Sequence, residues 1–125
     1  MDKPLMDIVL PRLARPLYRH LERYQTGQMS DEQFTQKFED LLKRQHAWLE
    51  ERGIAPSKAA IALHAAVLVL SLPGLRSEAA EAQLPLEVVE QRAVREAAAD
   101  VASNYHIPEA RAASAISSLV AEYGD

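Results

Sequence analysis

Four histidines, His20, His46, His64 and His106, are the first residues to test for chemistry, because a chain without cysteine has no thiolate for catalysis or metal binding. In carboxylate-bridged helical metal sites a glutamate stands three residues before each ligand histidine, so that both project into one bundle core. Here those positions hold Leu17, Lys43, Ile61 and Ser103. His46 and Glu50, four apart on one helical face, could ligate together, but two ligands do not make a site. The spacing therefore predicts no metal and no cofactor. Hydrolytic chemistry finds no footing either: there is no G-x-S-x-G elbow, no P-loop and no H-E-x-x-H. No residue is assigned a catalytic role, and an enzyme is not expected.

His64 has a setting unlike the others. It stands inside AAIALHAAVLVLSL, residues 59–72, a run without formal charge, bracketed by Pro56 and by Pro73-Gly74. A helix apolar all round belongs in the centre of a protein or in lipid. With Lys58 and Arg76 on either side, the run is shorter than the roughly 20 apolar residues a membrane span needs. The sequence thus predicts a buried central helix and no membrane span. Within it, His64 is either a core histidine donating to a carbonyl or facing a groove, or a buried polar contact to a ligand or interface.

The elements around that helix follow from periodicity and punctuation. Much alanine, only 4 glycines and no β-branched runs favour helices, and 125 residues make one domain. The expected fold is all-α, a single compact bundle of about five helices around residues 59–72. Residues 1–9 read as a loose lead-in with Pro4 early, and residues 1–16, with acids and three prolines, show no secretory signal. Pro11 suits a first turn, and residues 10–25 read as a helix that Pro16 kinks or divides. Gly27 can take the left-handed conformation that ends it. Ser30-Asp31-Glu32-Gln33 fits a capping box opening a second helix, with Phe34, Phe38, Leu41, Leu42, Trp48 and Leu49 inward and Gly53 as its stop. Pro56 opens the central helix and Pro73-Gly74 closes it, leaving residues 75–84 as a short helix or helical loop. A fourth helix runs from Pro85 to about Tyr105 with Leu86, Val89, Ala93, Ala97 and Val101 inward. Pro108 opens a fifth, with Ala112, Ile116, Leu119, Val120 and Tyr123 inward and Gly124 at its end.

The first helix carries two stripes. Leu13, Leu17, Leu21 and Tyr24 form the apolar one; Arg12, Arg15, Arg19 and Arg23 form a basic one roughly 130° away. An arginine edge of this kind suits an acidic partner, whether protein, anionic lipid head group or nucleic acid, with Tyr18 beside it to stack. Its plainer reading is a solvated face paired with local acids such as Glu22. Overall charge is −4, and all of it comes from the second half: residues 1–55 hold nine basic and nine acidic groups, residues 56–125 five and nine. General electrostatics therefore disfavour nucleic acid and anionic membrane. Residues 94–123 have the look of a helix-turn-helix, with Ala102, Tyr105, Ile107 and Ala112 where such motifs want small or apolar side chains. The exposed face of the second helix, however, offers Glu109, Arg111, Ser114, Ser117 and Ser118, with one cation where DNA contact needs several donors.

Gly27, Met29, Ser30, Glu32, Phe34, Lys37 and Leu41-Leu42, preceded by Leu17 and Leu21, form a pattern over residues 17–42 that resembles the SHOCT family. That resemblance, over about a fifth of the chain, implies a short helical module that mediates oligomerisation. The function expected is a non-catalytic helical module for protein interaction or self-association, in a cytoplasm whose reducing conditions suit the lack of cysteine. Its partner would be another protein or a second copy of the chain. Partner contacts are expected at Arg12, Arg15, Arg19, Arg23 and Tyr18, and a buried polar or ligand contact at His64. The alternatives are a DNA-binding regulator using residues 94–123 and peripheral binding of acidic partners or lipid through the arginine edge.

Overall fold

The computed structural model describes residues 2–124, and among them only helices occur: α1 (Asp2–Ile8), a π-helical turn (Val9–Leu13), α2 (Ala14–Gln25), α3 (Asp31–Glu51), α4 (Pro56–Ala82), α5 (Leu86–Tyr105) and α6 (Glu109–Tyr123). The first three follow one another without a break, so five rods make an all-α bundle around α4, the expected architecture.

The N-terminal expectation needs correction. Residues 1–9 are not a loose lead-in: Met1 lies outside the described residues, and Asp2–Ile8 is helix whose Leu5 and Met6, with Val9 beyond, are buried in the core. Burial of these three side chains ties down a segment whose proline and acids look like a loop. Pro4 falls in the first turn, where a missing N–H breaks no helical bond. The break in the rod also lies earlier than Pro16. It is the π turn, where the Ala14 N–H reaches back five residues to the Val9 carbonyl. Pro11 and Pro16 each remove a donor, and widening the helix by one residue keeps the chain helical between them. Pro16 then sits in the first turn of α2, where its lost donor is harmless.

The α2–α3 hairpin forms as its punctuation predicts. Gly27, at φ 77°, ends α2: its N–H bonds to the Tyr24 carbonyl and that of Gln28 to Arg23. Ser30 then caps α3, its hydroxyl accepting from the Gln33 N–H while the Gln33 side chain accepts from the Ser30 N–H. Tyr24 stacks on Phe34 with centroids 4.4 Å apart, and Phe34 meets Phe38 at 5.2 Å. Only Leu49 of α3 is fully buried; Phe34, Phe38, Leu41, Leu42 and Trp48 are half-buried, so this helix lies on the flank of the bundle.

Helix α4 is the centre, and every other helix and the π turn touch it. Ala59, Ala60, Ala62, Leu63, Ala65 and Ala66 are all buried. Side chains of one carbon let neighbouring helices approach closely, and Leu63 fills the middle. Pro73-Gly74 does not end this helix, contrary to the sequence reading. The chain stays helical to Ala82, about 40 Å in all at 1.5 Å per residue. Pro73 is exposed, so the Val69 carbonyl it cannot satisfy lies in a turn open to water, while half-buried Leu75 and buried Ala79 anchor the turns beyond. At 27 residues α4 is the one helix among those described that is long and apolar enough to cross a membrane. The short-run argument against a span therefore fails. What distinguishes its first half from a lipid-facing helix is the cover of its alanines by the other rods.

Helices α5 and α6 complete the core with Val89, Val94, Ala98 and Val101, and with Ala112, Ile116 and Leu119. The inner line of α5 shifts from the one expected: Val94 and Ala98 are buried, while Ala93, Ala97 and Leu86 are half-buried, because the face turns by one residue over two helical turns. The three later connections share one form. A left-handed residue, an aliphatic residue and a cap join α3 to α4 through Gly53-Ile54-Ala55, α4 to α5 through Gln83-Leu84-Pro85, and α5 to α6 through His106-Ile107-Pro108. Gly53 takes φ 83° freely, whereas Gln83 at 57° and His106 at 55° accept the strain that non-glycine residues carry there.

Candidate functional sites on the bundle

The arginine edge survives folding as a surface. Its position follows from the inward face of the same rod: Leu13, Ala14 and Leu17 are buried, which turns Arg12, Arg15, Arg19 and Arg23 outward. Together they form a row about 16 Å long. All four are exposed, and none of their guanidinium groups lies within ion-pair distance of a carboxylate among the described residues, Glu22 included. Of the plainer reading, the solvated face is present and the local pairing is not, among the described residues. Tyr18 is placed differently from the four arginines. It is half-buried and lines a groove with Leu21 and Gln25 of α2 and Leu68, Ser71 and Leu75 of α4. One position after Leu17, it leans toward the core rather than the basic edge.

His64 opens into a cleft of about 390 Å³ between α3, α4 and the end of α5. From α3 come Glu39, Lys43, His46 and Glu50, at steps of 4, 3 and 4 along one face, with Leu42 and Ala47 beside them. Ala60 and His64 come from α4, Asn104 and Tyr105 from α5. His46 is held on three sides. Its Nε2 meets the Pro56 carbonyl at 2.9 Å, its Nδ1 lies 3.5 Å from Glu50 Oε1, and its ring stacks on Tyr105 at 5.2 Å with planes 15° apart. This fixes His46 as a wall. His64 has no hydrogen-bond partner among the described residues, and part of its ring stays open toward the cleft. Burial pushes its imidazole below the usual histidine range; Asp100 pulls it back up, and His46 adds to the lowering. Burial also raises the Tyr105 phenol, with Glu50 contributing.

No serine, threonine or cysteine lines the cleft beside a free base, and among the described residues no group of three or more His, Asp or Glu could hold a metal ion. What the cleft offers is a concave polar site with carboxylates on one wall and a neutral imidazole on the other. The spacing of His46 and Glu50 on one helical face was legible in the sequence; the meeting of that face with His64 and Tyr105 is a product of the fold.

The helix pair at residues 94–123 packs as ordinary core. Ala112 is buried, Ala102, Tyr105 and Ile107 are half-buried, and the exposed side of α6 carries Glu109, Arg111 and Glu122 among serines. Compared with protein-family models, curated proteins and solved structures, the chain matches none.

Proposed function

We propose that the chain is a non-catalytic interaction module whose first helix docks onto an acidic surface of another protein, a second copy of this chain included. The observation that supports it is the row of four exposed arginines that no carboxylate among the described residues neutralises, in a chain whose overall charge is −4. Placing like charges in a row costs self-repulsion that an acidic partner relieves.

A protein surface fits better than lipid or DNA. Interfacial helices lay an apolar face into the membrane, and the apolar face of α2 is in the core. Among the described residues the exposed large hydrophobics are Ile8, Leu84 and Val88, and only Ile8 lies on the rod that carries the arginines. The acidic excess of residues 56–125 would oppose approach to a polyanion as large as duplex DNA, and gives a second copy a complementary charge. The SHOCT-like hairpin at residues 17–42 is in keeping with self-association, and a cytoplasmic setting with the absence of cysteine.

Fluorescence anisotropy with a labelled glutamate-rich peptide tests the reading. Binding should be salt-sensitive and weaken about tenfold or more in Arg15→Glu/Arg19→Glu. Equal binding by that variant, or tighter charge-reversal-sensitive binding to phosphatidylserine vesicles or duplex DNA, would overturn it.

A further inference from the structure

The cleft at His64 shares no residue with the arginine edge, and its chemistry points elsewhere. Its α3 wall presents Glu39 and Glu50 with Lys43 between them, and Asp100 adds negative charge near His64. The local balance is thus anionic. Leu42, Ala47 and Ala60 give the interior an apolar surface, with alanines leaving the space that larger side chains would fill. At about 390 Å³ the cleft falls within the range of small-molecule sites. His46 is committed to Pro56, Glu50 and Tyr105 and stiffens the wall. His64 has no hydrogen-bond partner among the described residues, and a neutral imidazole carries one donor and one acceptor nitrogen.

We propose that this cleft binds a small organic cation, a protonated amine on a compact apolar body, with the ammonium group between Glu50 and the acceptor nitrogen of His64 and the apolar body against Leu42, Ala47 and Ala60. The ammonium supplies donors only, and both groups facing it accept. An organic anion of the same shape would meet Glu39 and Glu50 with Lys43 alone in its favour.

Benzylammonium, benzyl alcohol and benzoate share a ring and differ in charge, which makes them direct probes. In NMR titrations of the intact protein, benzylammonium should produce saturable shifts of the His64 and Tyr105 ring signals, whereas benzoate and benzyl alcohol should bind at least tenfold more weakly. Glu50→Gln, at a half-exposed site that keeps its hydrogen-bonding shape, should weaken benzylammonium at least tenfold while circular dichroism and the melting temperature stay near wild type. His64→Phe should fill the cleft and abolish the shift of Tyr105. The proposal is overturned if no probe gives saturable shifts, if benzoate binds as well as benzylammonium, or if a folded Glu50→Gln protein binds as wild type. None of these results bears on the arginine edge, so the two readings fail independently.

Discussion

Leu63→Ala is the sharpest probe of α4 as the centre of a water-excluding core. Leu63 has no exposed surface, and three of its four neighbours one turn away on the same helix, Ala59, Ala60 and Ala66, are buried and too short to reach into a hole left beside them, with half-buried Val67 as the fourth. Leucine and alanine are both strong helix formers, so the change reads packing rather than propensity. Three carbons lost at about 0.8 kcal/mol each give roughly 2.4 kcal/mol. A cavity that its alanine neighbours cannot close brings the cost to about 3–5 kcal/mol. That is a large share of the roughly 5–15 kcal/mol by which a domain is stable. Urea unfolding followed by circular dichroism measures it, provided the slope with denaturant is unchanged. Val88→Ala serves as control, since Val88 is 43% exposed and should lose less than about 1 kcal/mol. A cost for Leu63→Ala below about 1 kcal/mol, or equal to that of the control, would refute the packing argument for α4.

Two further outcomes follow from local features. Ser30→Ala leaves the Gln33 N–H without its acceptor and dissolves the capping box, so stability should fall by about 1 kcal/mol, while Ser30→Asp should retain most of it; urea midpoints of the two variants give the comparison. For His64 the sign is set by its lowered folded-state pKa. The unfolded chain takes up a proton below about pH 6.5 and the native chain does so only at lower pH, so this residue's contribution is complete above that pH and is lost on acidification. Asp100 opposes this and His46 reinforces it, with Glu39, Lys43, Glu50 and Tyr105 facing the same cleft. An NMR titration should give a His64 midpoint below that of an ordinary histidine, and His64→Gln should reduce the loss of stability between neutral and mildly acidic pH. A midpoint at or above the ordinary value would contradict the burial.

The features legible in the sequence are those written by local chemistry. The glycine at φ 77°, the reciprocal cap of Ser30 and Gln33 and the alanine-rich run around Leu63 each need only a few neighbouring residues to be recognised. The misread features depend on distant contacts. Pro73-Gly74 carries the signal of a helix end, yet buried Ala79 holds the chain helical beyond it, and the stop falls at Gln83. There the Leu84 N–H bonds to the Ala79 carbonyl and that of Gln83 to Ala80, a left-handed cap without the glycine that would have announced it. Leu5, Met6 and Val9 look like part of a proline-marked tail until the core receives them. The arginine row could be found by counting residues, and so could the spacing of His46 and Glu50 on one face of α3. That Tyr18 turns from the first, and that His64 meets the second, depend on how α2, α3 and α4 cross.

The most direct test of a docking role for α2 is a map of where an acidic partner lands. A two-dimensional amide NMR titration of the isotope-labelled protein with a glutamate-rich peptide at low salt provides it. Shifts should concentrate on Arg12, Arg15, Arg19 and Arg23 and their neighbours, and fade as salt rises. Shifts gathered instead at Leu84 and Val88 or along α6, or a spectrum that does not move, would contradict it.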